Sequence, residues 1–424
     1  MTIRYLPAEA MAALHRRRGP VVDTGLTVML LGPEANRFVL ANSGLFRWRE
    51  AFEALVPVDG ETALIVSDGA DHTRRRRLVQ PAMHHRQVDG YLKTMADSAD
   101  EKIGAWRAGQ VVDLYAQFRS AIRRSTIASL FGERMAADEA FFGESLQPLL
   151  DLVDNVPQVI ALQRRLRLPA WRRAMAARAR VDERVFAEIG RVRADGGGDN
   201  VLATLVHGHD EDGGRLSDQE IRDQTVSLIA AGYETTSAAM SWAIYALLTT
   251  PGAWERARAE VESVAGPRIP DRGDLRKMPY LNGVVQETLR LYPPAVVSVR
   301  SVAEEFTFAG RRVRAGRTLL FSPYVTHRLP ELWTDPLSFR PQRWDPADPG
   351  YRKPGPHEFL PFGGGPHRCI GAVMATTELA VMLARLLARV SVRLLPGRPR
   401  PVGFAAMRPR DGLRAEILAV DRNT

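Results

Sequence analysis

The chain has 424 residues and a single cysteine, Cys369. No intramolecular disulfide can form, and a cytoplasmic location is expected. Lysine is nearly as scarce. Lys93, Lys102, Lys277 and Lys353 are the only four among 58 basic residues, and the others are arginines. The formal net charge of +9 could suit an acidic partner, but so strong an arginine bias reads as codon composition in a GC-rich genome. No nucleic-acid-binding module accompanies it, so nucleic acid is not an expected partner. The segment from Met1 to Pro20 lacks a long apolar run and carries His15, Arg16, Arg17 and Arg18. That argues against a signal peptide and a membrane anchor. Internal repeats and low-complexity linkers are missing too.

With 45% hydrophobic and 25% charged residues, the composition is globular, and the length suits two ordinary domains or one large one. The only hinge-like segment is Ala194 to Asn200, with Gly196, Gly197 and Gly198, read as a surface loop between helices. Helical periodicity dominates from about Asp89 to Val264. A β-type stretch follows near Phe306 to Phe321, with tight turns at Ala309-Gly310 and Ala315-Gly316. Pro330 to Pro361 is irregular and Pro-rich, and a further helix runs from about Ile370 to Val390. The expectation is a mainly α fold with a minor β-sheet lobe.

One helix stands apart. Ser217 and Glu220 form a capping-box start and Pro251-Gly252 a stop. About 33 residues between them give a length of roughly 50 Å at 1.5 Å per residue. From Thr225 to Thr250 it is apolar nearly all round. A membrane span is disfavoured because Glu234 sits at its centre and no second hydrophobic span exists. A helix through the middle of a large core is expected instead.

The cysteine lies in Phe362-Gly363-Gly364-Gly365-Pro366-His367-Arg368-Cys369-Ile370-Gly371, directly before a helix. The positive end of a helix dipole lowers a thiol's pKa and favours thiolate. Glycines let backbone approach something flat and bulky, and Gly371 suits close helix packing. Local physics alone leaves a buried structural cysteine equally open.

The segment resembles the haem-binding loop of cytochromes P-450, F-x-x-G-x-(H/R)-x-C-x-G, at every defined position. The resemblance implies haem b, with Cys369 as the axial thiolate that favours O–O cleavage. It also implies Phe362 beside the sulfur, His367 at a propionate, and Gly365 and Gly371 in the loop. Three further motifs occur in the family's order. Glu287-Thr288-Leu289-Arg290 is the E-x-x-R pair, which Arg343 of Phe339-Arg340-Pro341-Gln342-Arg343-Trp344 joins in a structural triad locking the cysteine loop. Taken alone, such a pair is an exposed ion pair worth little. Ala231-Gly232-Tyr233-Glu234-Thr235-Thr236 resembles the oxygen-binding motif, so Glu234 and Thr235 would relay protons and Gly232 would open an oxygen groove. A threonine bending its own helix is the plain alternative. His72 and Arg76 match the family's H-x-x-x-R pair and, with Arg300, would hold the propionates; Arg74, Arg75 and Arg77 fit a solvated run.

The resemblance spans about Gly60 to Phe404, within one domain covering residues 1–424; the first fifty residues carry no signature. His72, where membrane-bound relatives often place Trp, points to the soluble bacterial branch. The implied activity is insertion of one oxygen atom from O2 into a lipophilic small molecule such as a polyketide, terpene, sterol or fatty acid. Electrons would come from a ferredoxin and its NAD(P)H-dependent reductase, and the chain would act as a monomer. Alternatives are a peroxide-driven peroxygenase and a non-catalytic haem sensor or ligand carrier; the Glu234-Thr235 pair speaks against both. Family position assigns the pocket to Leu64, Ile65, Val66, Leu228, Ala231, Val296, Val297 and the Ala405-Ala406-Met407 loop. It assigns Gln158 to Arg180 to a lid over the entrance. The arginines of that lid could dock an acidic carrier protein or a membrane, or simply be solvated.

Overall fold

The structure is a computed structural model that describes residues 3–25, 27–196, 198, 200–209 and 213–421. Helices dominate and the strands form small sheets, as the periodicity implies. The chain divides into two compact units. The first comprises Met1–Phe46, Asp89–Ile122 and Thr235–Thr424; the second comprises Arg47–Val88 and Arg123–Glu234.

In the first unit, the main sheet has the strand order Val21–Asp23, Thr27–Leu30, Thr318–Phe321, Ser298–Val302, with Phe46–Arg47 at the far edge. Thr27–Leu30 runs parallel to Thr318–Phe321, so the two are far apart in sequence and joined only in the fold. Val28, Leu30, Leu319 and Phe321 bury one layer of this sheet against Val39 of the helix Pro33–Ala41. The Ala309-Gly310 turn is confirmed. It links Phe306–Phe308 to Arg311–Val313, and both turn residues have positive φ (46° and 72°), as a two-residue hairpin requires. A second, three-stranded sheet pairs Val111–Asp113 and Val390–Leu394 with Arg414–Val420.

The long helix runs Asp218–Thr249. Its capping box is present: Ser217 N donates to Glu220 Oε2 at 3.0 Å, and Glu220 N donates to Ser217 Oγ at 3.2 Å. The glycine hinge is partly described. Gly196 ends the helix Pro169–Asp195 in the left-handed region, while Gly197 and Asp199 lie outside the described residues. Among the described residues one helical stretch, Gly365–Arg389, is long and apolar enough to cross a membrane, and 72% of its apolar window is buried inside the protein. Its composition is that of a core helix.

Within the second unit, a polar cluster ties the start of the long helix to the segment before Leu64. Fully buried Arg222 donates to Asp182 at 2.6 Å, to Asp223 at 3.0 Å and to the carbonyl of Asp59 at 3.2 Å. Asp223 accepts from Thr62 N and Oγ1 at 3.0 and 2.7 Å. Gln224 accepts from Leu64 N at 2.9 Å and donates to Thr62 O at 2.6 Å. Gly60 permits this approach: its φ is +91°, and a Cβ there would collide with the Asp223 carboxylate. Gly60→Ala is therefore expected to destabilise the fold by roughly 2–4 kcal/mol, from left-handed strain plus overpacking. Urea midpoints of the two proteins measure this; an unchanged midpoint would show that the Asp223 contact does not constrain the segment.

Candidate active site

The cysteine loop is built within the first unit. Phe362 O accepts the Cys369 N–H at 2.9 Å, closing the loop on itself, and Leu360 O accepts Gly363 N at 3.2 Å. Gly363 and Gly365 have φ of 63° and 68°, values that side chains other than glycine rarely adopt. A Cβ at Gly364 would meet Leu40 Cδ1 at 2.7 Å, so the helix Pro33–Ala41 forms the floor of the loop. Cys369 is exposed at the surface of this loop, just ahead of the helix Ala372–Arg389. His367 and Phe362 are half-buried beside it.

Behind the loop sits a buried charge. Glu287, on the helix Pro279–Leu291, is fully buried and receives five N–H donors. Arg290 donates twice at 2.8 and 2.7 Å, Arg343 at 2.9 Å, Trp344 at 2.9 Å, and the backbone N of Arg340 at 2.9 Å. Burial pushes the Glu287 pKa up, but the Arg290 and Arg343 charges outweigh it and hold the group below its ordinary value. Arg290 also donates to the carbonyl of His327 at 2.7 Å. The His327 ring Nε2 accepts Leu360 N–H at 2.8 Å, at the root of the cysteine loop. Burial, then the Arg290 and Arg328 charges, lower the His327 pKa to about 3, so the ring is neutral with its proton on Nδ1.

On the long helix, every residue from Ile221 to Leu247 is buried except Leu228, Ala231, Gly232, Glu234 and Thr235. Leu228, Ala231, Gly232 and Thr235 are spaced i, i+3, i+4, i+7, one face of a helix. In the first unit, Arg300 is buried on Ser298–Val302 and donates to Ser298 Oγ at 3.0 Å and Val299 O at 2.7 Å. Trp242 Nε1 donates to Met407 O at 2.7 Å, and Met407 N to Pro294 O at 2.9 Å, fixing the Ala405-Ala406-Met407 loop. In the second unit, His72 is buried on the helix Gly69–Val79, and its pKa is lowered by burial and then by Arg76.

The family model "Cytochrome P450" matches residues 4–409. The chain belongs to the cytochrome P450 family. It is 56% identical over 423 residues to "Putative cytochrome P450 139" of Mycobacterium tuberculosis, covering 98% of each protein. It is 37% identical to "Cyclooctatin synthase" of Streptomyces melanosporofaciens, over 87% of this chain and 82% of that protein. "Pentalenene oxygenase" of Streptomyces avermitilis is 30% identical, over 91% and 86%. Among solved structures, retinoic acid-bound cyanobacterial CYP120A1 superposes with a TM-score of 0.85 at 26% identity, over 96% of this chain and 93% of that one.

This P450 is thus an oxidoreductase of the monooxygenase family, whose members bind haem. The residues present fit that group. A single soft sulfur donor stands exposed on a glycine-shaped loop. The glycines around it leave the backbone low enough for a flat, bulky group to approach that sulfur.

Several expectations need correction. A Cβ at Gly232 would meet Thr126 Cγ2 at 2.9 Å, so glycine there also allows the close approach of a neighbouring helix. A Cβ at Gly371 meets nothing within 4 Å, so close helix packing does not explain that glycine. Arg75 is not solvated: it is 8% exposed and donates to Ser67 at 2.8 Å and Glu220 at 3.3 Å, and Arg74 pairs with Glu220 at 3.0 Å. Of the residues assigned to the pocket, Val66, Val296 and Ala406 are buried, and Leu64, Ile65, Leu228, Ala231, Val297 and Ala405 keep accessible surface. Leu40, Trp344 and His327 carry no sequence signal of a role; only the tertiary fold brings them to the loop and to Glu287.

His327 yields a pH test. A folded pKa near 3 against an ordinary 6.5 means stability is full above pH 6.5 and falls as pH drops toward 3. The slope is about 1.4 kcal/mol per pH unit. In His327→Gln the amide oxygen can still accept the Leu360 N–H but cannot titrate. The stability difference between wild type and His327→Gln should shrink by about 2 kcal/mol between pH 7 and pH 5. Urea titrations at both pH values check it; a constant difference would show that the ring is not held neutral.

Proposed function

We propose that the chain is a haem-thiolate monooxygenase acting on a lipophilic small molecule, with terpenoids the favoured class. The carrying observation is the coincidence of an exposed Cys369 on a rigidly held loop with an accessible Glu234-Thr235 break in an otherwise buried helix. The balanced reaction is R–H + O2 + two electrons + two protons giving R–OH and water. Haem held through Cys369 Sγ would supply oxygen activation and oxygen-atom transfer.

The chain's own residues supply the remainder. His72, Arg76, Arg300 and His367 offer cationic or hydrogen-bonding partners for two propionates. Phe362, whose carbonyl accepts the Cys369 N–H, would hold the exposed sulfur in position. Glu234 takes protons from solvent, and the neighbouring Thr235 hydroxyl holds them on the accessible face of the helix. Leu64, Ile65, Leu228 and Ala231 in the second unit, and Val297 in the first, are accessible apolar side chains that would favour a lipophilic substrate over a charged one. The relatives named "Cyclooctatin synthase", "Cyclooctat-9-en-7-ol 5-monooxygenase" and "Pentalenene oxygenase" support a terpenoid in this role.

A groove beside the loop, lined by Leu40, Gln286, Phe362, Gly364 and Val373, carries exposed Arg368. This favours an acidic ferredoxin, reduced by an NAD(P)H-dependent reductase, as electron donor. The protein is proposed to work as a cytoplasmic monomer and a single catalytic domain.

Thr235→Ala, reconstituted with a surrogate ferredoxin system and a terpenoid that shifts the Soret band, tests the reading. The carbon monoxide spectrum and the substrate-induced shift should survive. Product formed per NAD(P)H consumed should fall at least ~10-fold as electrons divert to hydrogen peroxide, and Glu234→Gln should slow turnover by ~10²–10⁴-fold. Full coupling in Thr235→Ala would overturn the relay. Equal turnover on peroxide alone would favour a peroxygenase.

A further inference from the structure

Exposed apolar side chains are not spread evenly over this protein. Of the eleven large hydrophobic residues exposed among the described ones, five fall in thirteen residues: Val156, Val159, Leu162, Leu166 and Leu168. They lie on and just beyond the helix Pro157–Arg165, of which only Ile160 is buried. The same stretch is strongly basic. From Asn155 to Val181 there are seven arginines and no aspartate or glutamate.

Elsewhere arginines are largely engaged: Arg184, Arg191 and Arg193 each pair with a carboxylate. Arg164, Arg165, Arg167, Arg172 and Arg173 are exposed and make no ion pair among the described residues. Codon bias explains why these cations are arginines. It does not explain why acids are excluded around them, nor why leucines and valines stand exposed between them.

We infer that this face docks on an anionic lipid surface. Apolar side chains flanked by unpaired cations suit a helix lying in the headgroup region, where each element lowers the free energy independently. Half-buried Trp171 on the next helix adds a side chain suited to that depth. An acidic protein would satisfy the arginines but gives no reason for five exposed aliphatic residues on a nine-residue helix and its flanks.

The surface is also connected to the segment proposed to contact substrate. Arg178 on Pro169–Asp195 donates to the carbonyls of Val56 and Pro57 at 3.4 and 3.3 Å, and Asp182 on the same helix accepts from Arg222. Both contacts hold the chain leading into Leu64. A lipophilic substrate dissolved in the bilayer would thus be met by the unit that carries Leu64 and Leu228. This last point rests on the proposed function; the docking itself does not.

The test is co-sedimentation of the haem-loaded enzyme with vesicles of phosphatidylcholine containing about 30% phosphatidylglycerol, an anionic fraction high enough to attract a basic face, compared with phosphatidylcholine alone. The protein should bind the anionic vesicles and release as salt rises. Arg164→Gln with Arg165→Gln should weaken partitioning by ~25-fold, about fivefold per arginine. Leu162→Asp with Leu166→Asp should abolish it, while the carbon monoxide spectrum of both variants reports an intact fold. Absence of binding to the anionic vesicles at low salt would overturn the proposal. So would binding that neither double variant weakens, which would mark it as a property of the overall positive charge. Retention by an immobilised acidic ferredoxin without vesicle binding would likewise overturn it in favour of a protein partner.

Discussion

Glu287 is a carboxylate without contact with water, and the position of the cysteine loop depends on how its charge is balanced. Taking an ion out of water costs several kcal/mol, and removing one partner of a buried pair costs ~3–5 kcal/mol. Here both oxygens are satisfied by five N–H groups from two stretches of chain: Arg290 on its own helix, and the Arg340 backbone with the Arg343 and Trp344 side chains. A well-packed apolar cluster would give similar stability without the electrostatic cost. What a cluster cannot do is fix angles, and the hub extends by directional bonds from Arg290 to His327 and from His327 to Leu360. Leu360 begins the turn from which Cys369 is presented.

The same preference for directional bonds governs the second unit. Arg222, Asp223 and Gln224 occupy three successive positions near the start of the long helix and reach Asp182, Thr62 and Leu64. Burial pushes the Asp59 carboxyl up to about 7, so near neutral pH this cluster carries less negative charge than its composition suggests. Further along the helix the pattern reverses. Five residues around Glu234 and Thr235 keep accessible surface while their neighbours on both sides are sealed. A proposed proton relay needs such an interruption, because a fully sealed carboxylate could not exchange protons with water.

Much of this arrangement is legible in the sequence. The long helix announces itself by its capping box and its stop, the hairpin by Ala309-Gly310, and the cysteine loop by its glycine spacing. These are local signals, and local geometry decides them. What stays hidden is non-local. Thr27–Leu30 pairs locally with Val21–Asp23, but its parallel partner on the other side lies nearly three hundred residues later. Leu40 is an ordinary leucine until Gly364 is folded onto it. Arg75 looks like one cation in a run of four, yet Ser67 and Glu220 approach from other elements and bury it. The motif around Gly232 carries no sign of Thr126, which packs against that glycine from a neighbouring helix.

The account stands on Cys369 as the thiolate ligand to haem iron. The most direct measurement is the absorption spectrum of the reduced carbon monoxide complex, recorded for the haem-loaded protein and for Cys369→His. The wild type should show the strongly red-shifted Soret band characteristic of thiolate-ligated haem, and the variant should lose it while retaining haem. A red-shifted thiolate band in Cys369→His would contradict the assignment, because the chain has no other cysteine to supply it.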